Sequence, residues 1–84
     1  MKLSFGKEYF RQYPRTSNFV HEPMPTTWQV FTIGGEKFFQ LDCYSEKTDI
    51  DSIGPSLQSK HKLQFDRETA QAFIALLKKQ FDLP

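Results

Sequence analysis

The side chains that could perform nucleophilic catalysis are few and widely separated in this sequence. Cys43 is the single cysteine, and a base for it, or for a serine, would have to be His21 or His61. Cys43 falls on the apolar face of a predicted strand, where a cysteine is usually an inert small hydrophobe. His61 lies between two lysines at the start of another predicted strand, a position typical of a solvated histidine. We therefore predict no catalytic residue and a protein that is not an enzyme.

A group of acidic side chains is the second possible centre of chemistry. Asp49 and Asp51 are two residues apart, and Asp42 and Glu46 are near them in sequence. Hard metal ions need about six oxygen ligands, and the helix–loop–helix type of site also needs a glycine that shapes its loop. The spacing here matches no such loop, and the pair Gly34-Gly35 lacks the lysine and the following helix of a phosphate-binding loop. We predict a solvated acidic loop with no metal and no cofactor, and a metal site in this loop is kept as the alternative.

The third candidate is a surface of aromatic, amide and basic side chains on one side of a predicted hairpin and its neighbouring strand. Such a surface suits single-stranded DNA or RNA, because bases stack on rings for about 1–3 kcal/mol each and lysines meet phosphates. An aromatic N-terminal arm, a second copy of the chain or another protein could cover it instead, since apolar surface of that size is rarely open on a monomer. The residues of this predicted binding surface are Phe31, Phe38, Tyr44, Gln29, Gln40, Lys60 and Lys62.

The hairpin that positions this surface is predicted over residues 27–44, around Gly34-Gly35. Two glycines can adopt the positive φ of the primed two-residue turns, and such a loop opposes Phe31 to Phe38. A four-residue loop, residues 34–37, would instead oppose Val30 to Leu41, but both registers leave every side chain on the same face. The first face holds Trp28, Val30, Thr32, Phe39, Leu41 and Cys43, and the second face holds Gln29, Phe31, Ile33, Phe38, Gln40, Asp42 and Tyr44.

A third strand and a C-terminal helix complete the predicted fold. The segment KHKLQFD (60–66) alternates apolar and polar residues, which is typical of a strand. The helix, residues 66–82, begins with Asp66 as N-cap and ends with Lys78-Lys79 in the negative last turn. One apolar stripe runs along it, comprising Ala70, Phe73, Ile74, Leu77 and Phe81. We expect this helix stripe to pack on the first face, giving an α+β fold: a small antiparallel meander of three or four strands packed on one face by a C-terminal helix.

Two irregular segments remain. Residues 1–25 contain three prolines that interrupt regular structure, yet they are too apolar for a disordered tail, so we predict an arm with a short fourth strand at 2–6. Residues 45–59 form a mildly acidic loop broken by Gly54-Pro55. The chain is thus predicted as a single domain over 1–84, with an arm at 1–25, a β-meander at 27–65 and a helix at 66–82.

Composition excludes several classes of protein. Eleven basic residues against ten acidic ones give no whole-chain basic footprint for duplex nucleic acid. One cysteine excludes an intrachain disulfide framework and a cysteine-rich zinc site, and it fits a reducing compartment. No apolar run approaches the roughly 18–20 residues of a membrane span. We expect a soluble, cytoplasmic protein of bacterial type with no membrane partner.

Three short patterns carry a resemblance to known proteins. These are Phe38 to Asp42, then Gly54-Pro55-Ser56, then Leu63 to Asp66 leading into the helix. Over residues 28–81 the chain resembles a group of short uncharacterised bacterial proteins, some of them labelled methionyl-tRNA formyltransferase-like. The resemblance implies no catalytic residues, because the Asn-His-Asp constellation of the full transferase has no counterpart here. More distantly, the sheet with a C-terminal helix is similar to the PUR-repeat and Whirly single-strand binders, and this implies fold rather than function.

The sequence therefore predicts a small non-enzymatic binding domain that acts through its aromatic and basic sheet face. The partner is expected to be a second copy, as a homodimer, or another protein, and the alternative is single-stranded nucleic acid.

Overall fold

The computed structural model describes the whole chain, residues 1–84, as a three-stranded sheet followed by one helix. The elements are β1 (Thr26–Ile33), β2 (Glu36–Cys43), a short 3₁₀ turn (Ile50–Ser52), β3 (His61–Phe65) and α1 (Arg67–Phe81). The strands form one antiparallel meander in the order β1-β2-β3. The predicted α+β class, with a small antiparallel sheet and a C-terminal helix, is confirmed.

The hairpin between β1 and β2 turns on two glycines with positive φ. Gly34 has φ of 59° and Gly35 has φ of 80°, which are the left-handed values that a primed two-residue turn requires. The resulting register opposes Phe31 to Phe38 and Val30 to Phe39. The two-residue loop is thus the one that forms, and the four-residue alternative does not.

The third strand extends both faces of the hairpin. Phe65 lies opposite Phe39 and Leu63 lies opposite Leu41, so these residues join the first face. Gln64 lies opposite Gln40 on the second face. The alternation of the sequence therefore assigns each strand residue to the correct side of the sheet.

The outer edge of β3 is occupied by the start of the chain. Lys2 forms a parallel bridge with Gln64, whose backbone N–H donates to the Met1 carbonyl oxygen at 2.8 Å. The fourth strand predicted at 2–6 is reduced to this bridge, because the chain turns at Gly6, whose carbonyl accepts hydrogen bonds from Tyr9 and Phe10. Phe5, which is half-buried, stacks on Phe10 at a ring-centre distance of 3.8 Å.

The helix follows β3 almost without a connection. Asp66 caps its start, accepting a 2.8 Å hydrogen bond from the Thr69 backbone N–H. Asp82, in a left-handed conformation, follows the last residue of α1 as its C-cap. Phe73 stacks on Phe65 at a ring-centre distance of 5.9 Å and meets Phe5 edge-on at 5.8 Å. These rings hold the N-terminal half of α1 over the β3 side of the first face.

The C-terminal half of α1 leaves much of its apolar stripe exposed. Ile74 and Leu77 are open to solvent and Phe81 is 69% exposed. Trp28 and Val30 are also exposed, although the sequence predicted the helix stripe to cover them. The difference has a geometric cause. A single residue, Asp66, connects α1 to the edge strand β3, and Phe65 anchors the helix there, whereas Trp28 and Val30 lie on the opposite edge strand.

The buried interior is small for the length of the chain. Only four residues are buried, namely Gln40, Tyr44, Phe65 and Thr69. The accessible surface is 7,746 Å², whereas the size relation for folded monomers gives about 5,200 Å² for this mass. The exposed arm, residues 6–23, accounts for part of the excess, and the open first face and helix stripe add to it.

Candidate functional site

The aromatic pair of the predicted binding surface is present on the second face. The rings of Phe31 and Phe38 lie opposite each other and stack at 5.5 Å, and both side chains are half-buried. Lys2 brings its ammonium group to 5.9 Å from the centre of the Phe38 ring, within the range of a cation–π contact. The chain therefore already supplies a cation to this pair.

A hydrogen-bonded polar network crosses the middle of the second face. The Gln64 Nε2 donates to Gln40 Oε1 at 2.8 Å, and Gln40 Nε2 donates to Asp42 Oδ1 at 2.7 Å. The Lys62 ammonium lies 3.4 Å from Asp42 Oδ2. Both polar atoms of the buried Gln40 amide are thus hydrogen-bonded within the sheet, so this side chain is not available to bind a ligand.

Tyr44 is also withdrawn from the surface. Its side chain is 6% exposed, and its hydroxyl lies 3.5 Å from Thr27 Oγ1. Tyr44 directly follows β2, and its backbone N–H donates to the Pro25 carbonyl oxygen, so the hairpin ladder continues one pair beyond the strands. Alternation places Tyr44 on the second face, but it cannot show that the residue is buried there.

The other predicted binding residues are accessible. Gln29, Lys60 and Lys62 are exposed, although Lys60 lies just outside β3. The structure therefore pairs Phe31 with Phe38 and leaves Gln29 exposed on β1, whereas Lys62 lies beside Asp42, four residues along β2 from Phe38. It also removes Tyr44 and Gln40 from the accessible set.

The first face carries the larger exposed apolar surface. The Trp28 ring is 67% exposed and stacks on Phe39 at 5.6 Å with an interplanar angle of 10°. Val30, directly opposite Phe39 in the register, is exposed beside them. We call Trp28, Val30 and Phe39 the open patch. The exposure of the open patch could have been anticipated from the strand order of a meander. A helix that follows the last strand reaches the first strand only by crossing the whole sheet.

A groove runs from the open patch to the first turns of α1. Its volume is about 460 Å³, and its walls include Val30, Phe39, Phe65, Arg67 and Ala70. The sheet supplies apolar rings as its floor and the first turns of the helix supply its side. The open patch therefore continues without interruption toward the helix.

The residues considered for catalysis and metal binding form no centre. Cys43 lies opposite His61 in the strand register, but no hydrogen bond joins their side chains. No three side chains of histidine, cysteine, aspartate or glutamate are grouped closely enough to hold a metal ion. Asp49 instead caps the 3₁₀ turn, accepting a hydrogen bond from the Asp51 backbone N–H at 3.1 Å.

The helix α1 is not long and apolar enough to cross a membrane.

Asp66 is the ionisable group that the fold perturbs. The hydrogen bond from the Thr69 backbone N–H holds the pKa of its carboxyl below the ordinary value of 3.8, and Lys2, 3.2 Å away, lowers this pKa further. The Thr69 hydroxyl also donates to the Leu3 carbonyl. Asp66 thereby connects the arm, β3 and α1, which is a structural role.

No family model, curated protein or solved structure matches this chain.

Proposed function

We propose that the chain is a non-enzymatic protein-interaction module that self-associates through its first face. The observation that carries the proposal is the open patch: the Trp28 ring is held flat against Phe39 and still exposes 67% of its surface. Covering an aromatic ring of about 150–250 Å² removes enough apolar surface from water to contribute roughly 2–4 kcal/mol for the exposed part of Trp28.

The surface of the isolated chain favours a second copy as the partner. The chain exposes roughly 2,500 Å² more than the size relation for a monomer gives, and a standard interface buries about 800 Å² on each partner. A formal net charge of +1 adds little repulsion between two copies. Self-association through the open patch would bring the accessible surface per chain closer to that of a stable domain.

Light scattering on the purified chain tests the proposal. We expect a species of about twice the 9.9 kDa chain mass at roughly 100 μM, a concentration at which even micromolar affinity gives mostly dimer. Trp28→Glu should convert this species to monomer, because it places a charge in the buried part of the interface. Ile33→Glu is the matched control, since Ile33 is also 67% exposed on β1 but lies on the second face. A wild-type monomer at this concentration would refute the proposal.

The alternative is single-stranded nucleic acid binding by the second face. It is supported by the stacked, half-buried pair of Phe31 and Phe38 and by the exposed Lys60 and Lys62, which lie toward the other end of the same face. The ion pair of Lys62 with Asp42 and the burial of Tyr44 leave this surface with less free charge and fewer rings. Salt-dependent anisotropy of a labelled oligonucleotide that is lost in Phe38→Ala would favour the alternative over self-association.

A further inference from the structure

We infer that two copies join antiparallel along the outer edge of β1, about a two-fold axis at Gln29, to form one continuous six-stranded sheet. This inference rests on the proposed self-association and specifies its geometry. The evidence is the direction of the β1 backbone groups, the composition of that edge and the pairs that the register would create.

The hydrogen bonds of the hairpin show which β1 groups are unpaired. Tyr44 donates its backbone N–H to the Pro25 carbonyl oxygen at 2.9 Å, so the opposed pair 25/44 is a hydrogen-bonded pair. Hydrogen-bonded and non-hydrogen-bonded pairs alternate in an antiparallel ladder. The odd-numbered residues of β1 therefore bond to β2, and the even-numbered ones direct N–H and C=O outward. These outward residues are Thr26, Trp28, Val30 and Thr32.

The β1 edge lacks the features that usually prevent edge-to-edge pairing. Its eight residues, TTWQVFTI, contain no charge and no proline, and the register with β2 is continuous without a bulge. Five of the eight are threonine, valine or isoleucine, which favour extended structure. A long, uncharged and regular edge strand is a template for a further strand. The opposite edge of the sheet, at β3, is instead paired with residues 1–3.

Self-pairing of β1 has a favoured register. The two strands can hydrogen-bond only if outward residues of one copy lie opposite outward residues of the other. The register centred on Gln29 is the one in which all four outward residues are paired. It places Thr26 opposite Thr32 of the second copy and Trp28 opposite Val30 of the second copy. Threonine pairs and aromatic–β-branched pairs are both favourable across antiparallel strands, at about 0.2–1 kcal/mol each. No like charges face each other, because the strand has none.

The second face is compatible with the same axis. Gln29, Gln40 and Gln64 form one row across the three strands, and Gln64 donates to Gln40. Gln29, at the exposed end of this row, has no side-chain hydrogen bond. With the axis at Gln29, the row continues into the second copy and the two Gln29 amides become neighbours. On the first face, the open patches of the two copies meet, and Trp28 of each copy is partly covered by Val30 of the other.

Cysteine cross-linking in a Cys43→Ser background tests this geometry. Gln29 would form a non-hydrogen-bonded pair with itself, in which Cα atoms are about 4.5 Å apart and within the range for a disulfide. Gln29→Cys should therefore give disulfide-linked dimer under mild oxidation. Thr27→Cys, on the same face, is the matched control, because the two Thr27 residues would be about four residues apart, roughly 13 Å. We expect roughly tenfold or more cross-linked dimer from Gln29→Cys than from Thr27→Cys.

Val30→Pro supplies an independent measurement. It removes an outward N–H while leaving the ladder between β1 and β2 intact, and proline is tolerated at such edge positions. We expect this variant to keep its far-ultraviolet circular dichroism and to be monomeric in light scattering. Should it unfold, the cross-linking result decides alone.

The two proposals fail differently. A wild-type dimer in light scattering with no more cross-linking from Gln29→Cys than from Thr27→Cys would overturn the β1 geometry and leave the proposed function standing. Preferential cross-linking of Thr27→Cys would indicate another register and would also overturn it. A wild-type monomer would overturn both proposals.

Discussion

At the scale of single residues, Asp66 has the most clearly defined structural role. Its carboxylate accepts from Thr69 at the first turn of α1 and pairs with Lys2 on the arm. The sequence was sufficient to predict Asp66 as an N-cap, because the residue type and the apolar pattern that follows it are local signals. The contact with Lys2 was not predictable, since 64 positions separate the two residues and no local pattern joins them.

The charge of Asp66 predicts a pH dependence of stability. The folded state holds the pKa of this carboxyl below 3.8, so the group stabilises the fold above about pH 3.8 and loses that contribution as the pH falls through the lower folded pKa. Asp66→Asn retains a capping oxygen but removes the charge. We expect the wild type to have a higher urea midpoint than this variant near pH 7, and the two midpoints to converge in acid.

Lys2→Met is the comparison for Asp66→Asn. The Thr69 backbone hydrogen bond is the largest cause of the lowered pKa and Lys2 a smaller one, so the effect of Lys2→Met on the urea midpoint should be the smaller of the two. Equal midpoints of the wild type and Asp66→Asn at every pH would contradict the assigned role of the charge.

At the scale of elements, the hairpin and the helix were predictable and their mutual packing was not. Gly34-Gly35 and the alternation around it define the β1–β2 register through local turn geometry. The apolar spacing of α1 indicates that the helix has a buried side, but it contains no information on how far along the helix that side is covered. The stack of Phe65 and Phe73 is the contact that decides this.

Two phenylalanines of α1 are therefore expected to differ in their effect on stability. Phe73→Ala should lower the free energy of unfolding by roughly 1–3 kcal/mol, somewhat less than the usual cost for a fully buried ring, because Phe73 is half-buried between Phe5 and Phe65. Phe81→Ala, at the exposed end of the same stripe, should change it by less than about 0.5 kcal/mol. Chemical denaturation of the two variants under identical conditions measures both values, and similar losses would contradict the observed packing.

At the scale of the whole molecule, the chain has more surface than a monomer of its size requires. Its radius of gyration is 15.2 Å, against about 12 Å for a compact domain of this length.

The candidate site, like the fold, could be predicted from the sequence only where a local pattern determines the structure. Face assignment of Phe31, Phe38 and Gln29 follows from alternation, whereas the burial of Tyr44 and the exposure of Trp28 depend on tertiary packing that no local pattern encodes.

Self-association predicts that thermal stability depends on protein concentration. Dimer formation stabilises the folded state by mass action, so a tenfold increase in concentration should raise Tm by roughly 2–5 °C for a domain of this size. The Trp28→Glu variant, as a monomer, should have a Tm that does not change with concentration. Thermal melts followed by circular dichroism over a hundredfold range of concentration, made with both chains, provide the measurement. A wild-type Tm that stays constant over this range would argue against a dimer.

The bridge between Lys2 and Gln64 has a consequence for how far assembly can proceed. A sheet with two free edges can add copies at both ends without limit, and this is the route to fibrils. Here the first residues of the chain occupy one edge, so each copy offers a single edge for pairing. In the proposed dimer the two such edges meet and none remains, so growth would stop at a closed pair. The short N-terminal segment would then act as a terminator that separates a finite assembly from an open-ended one.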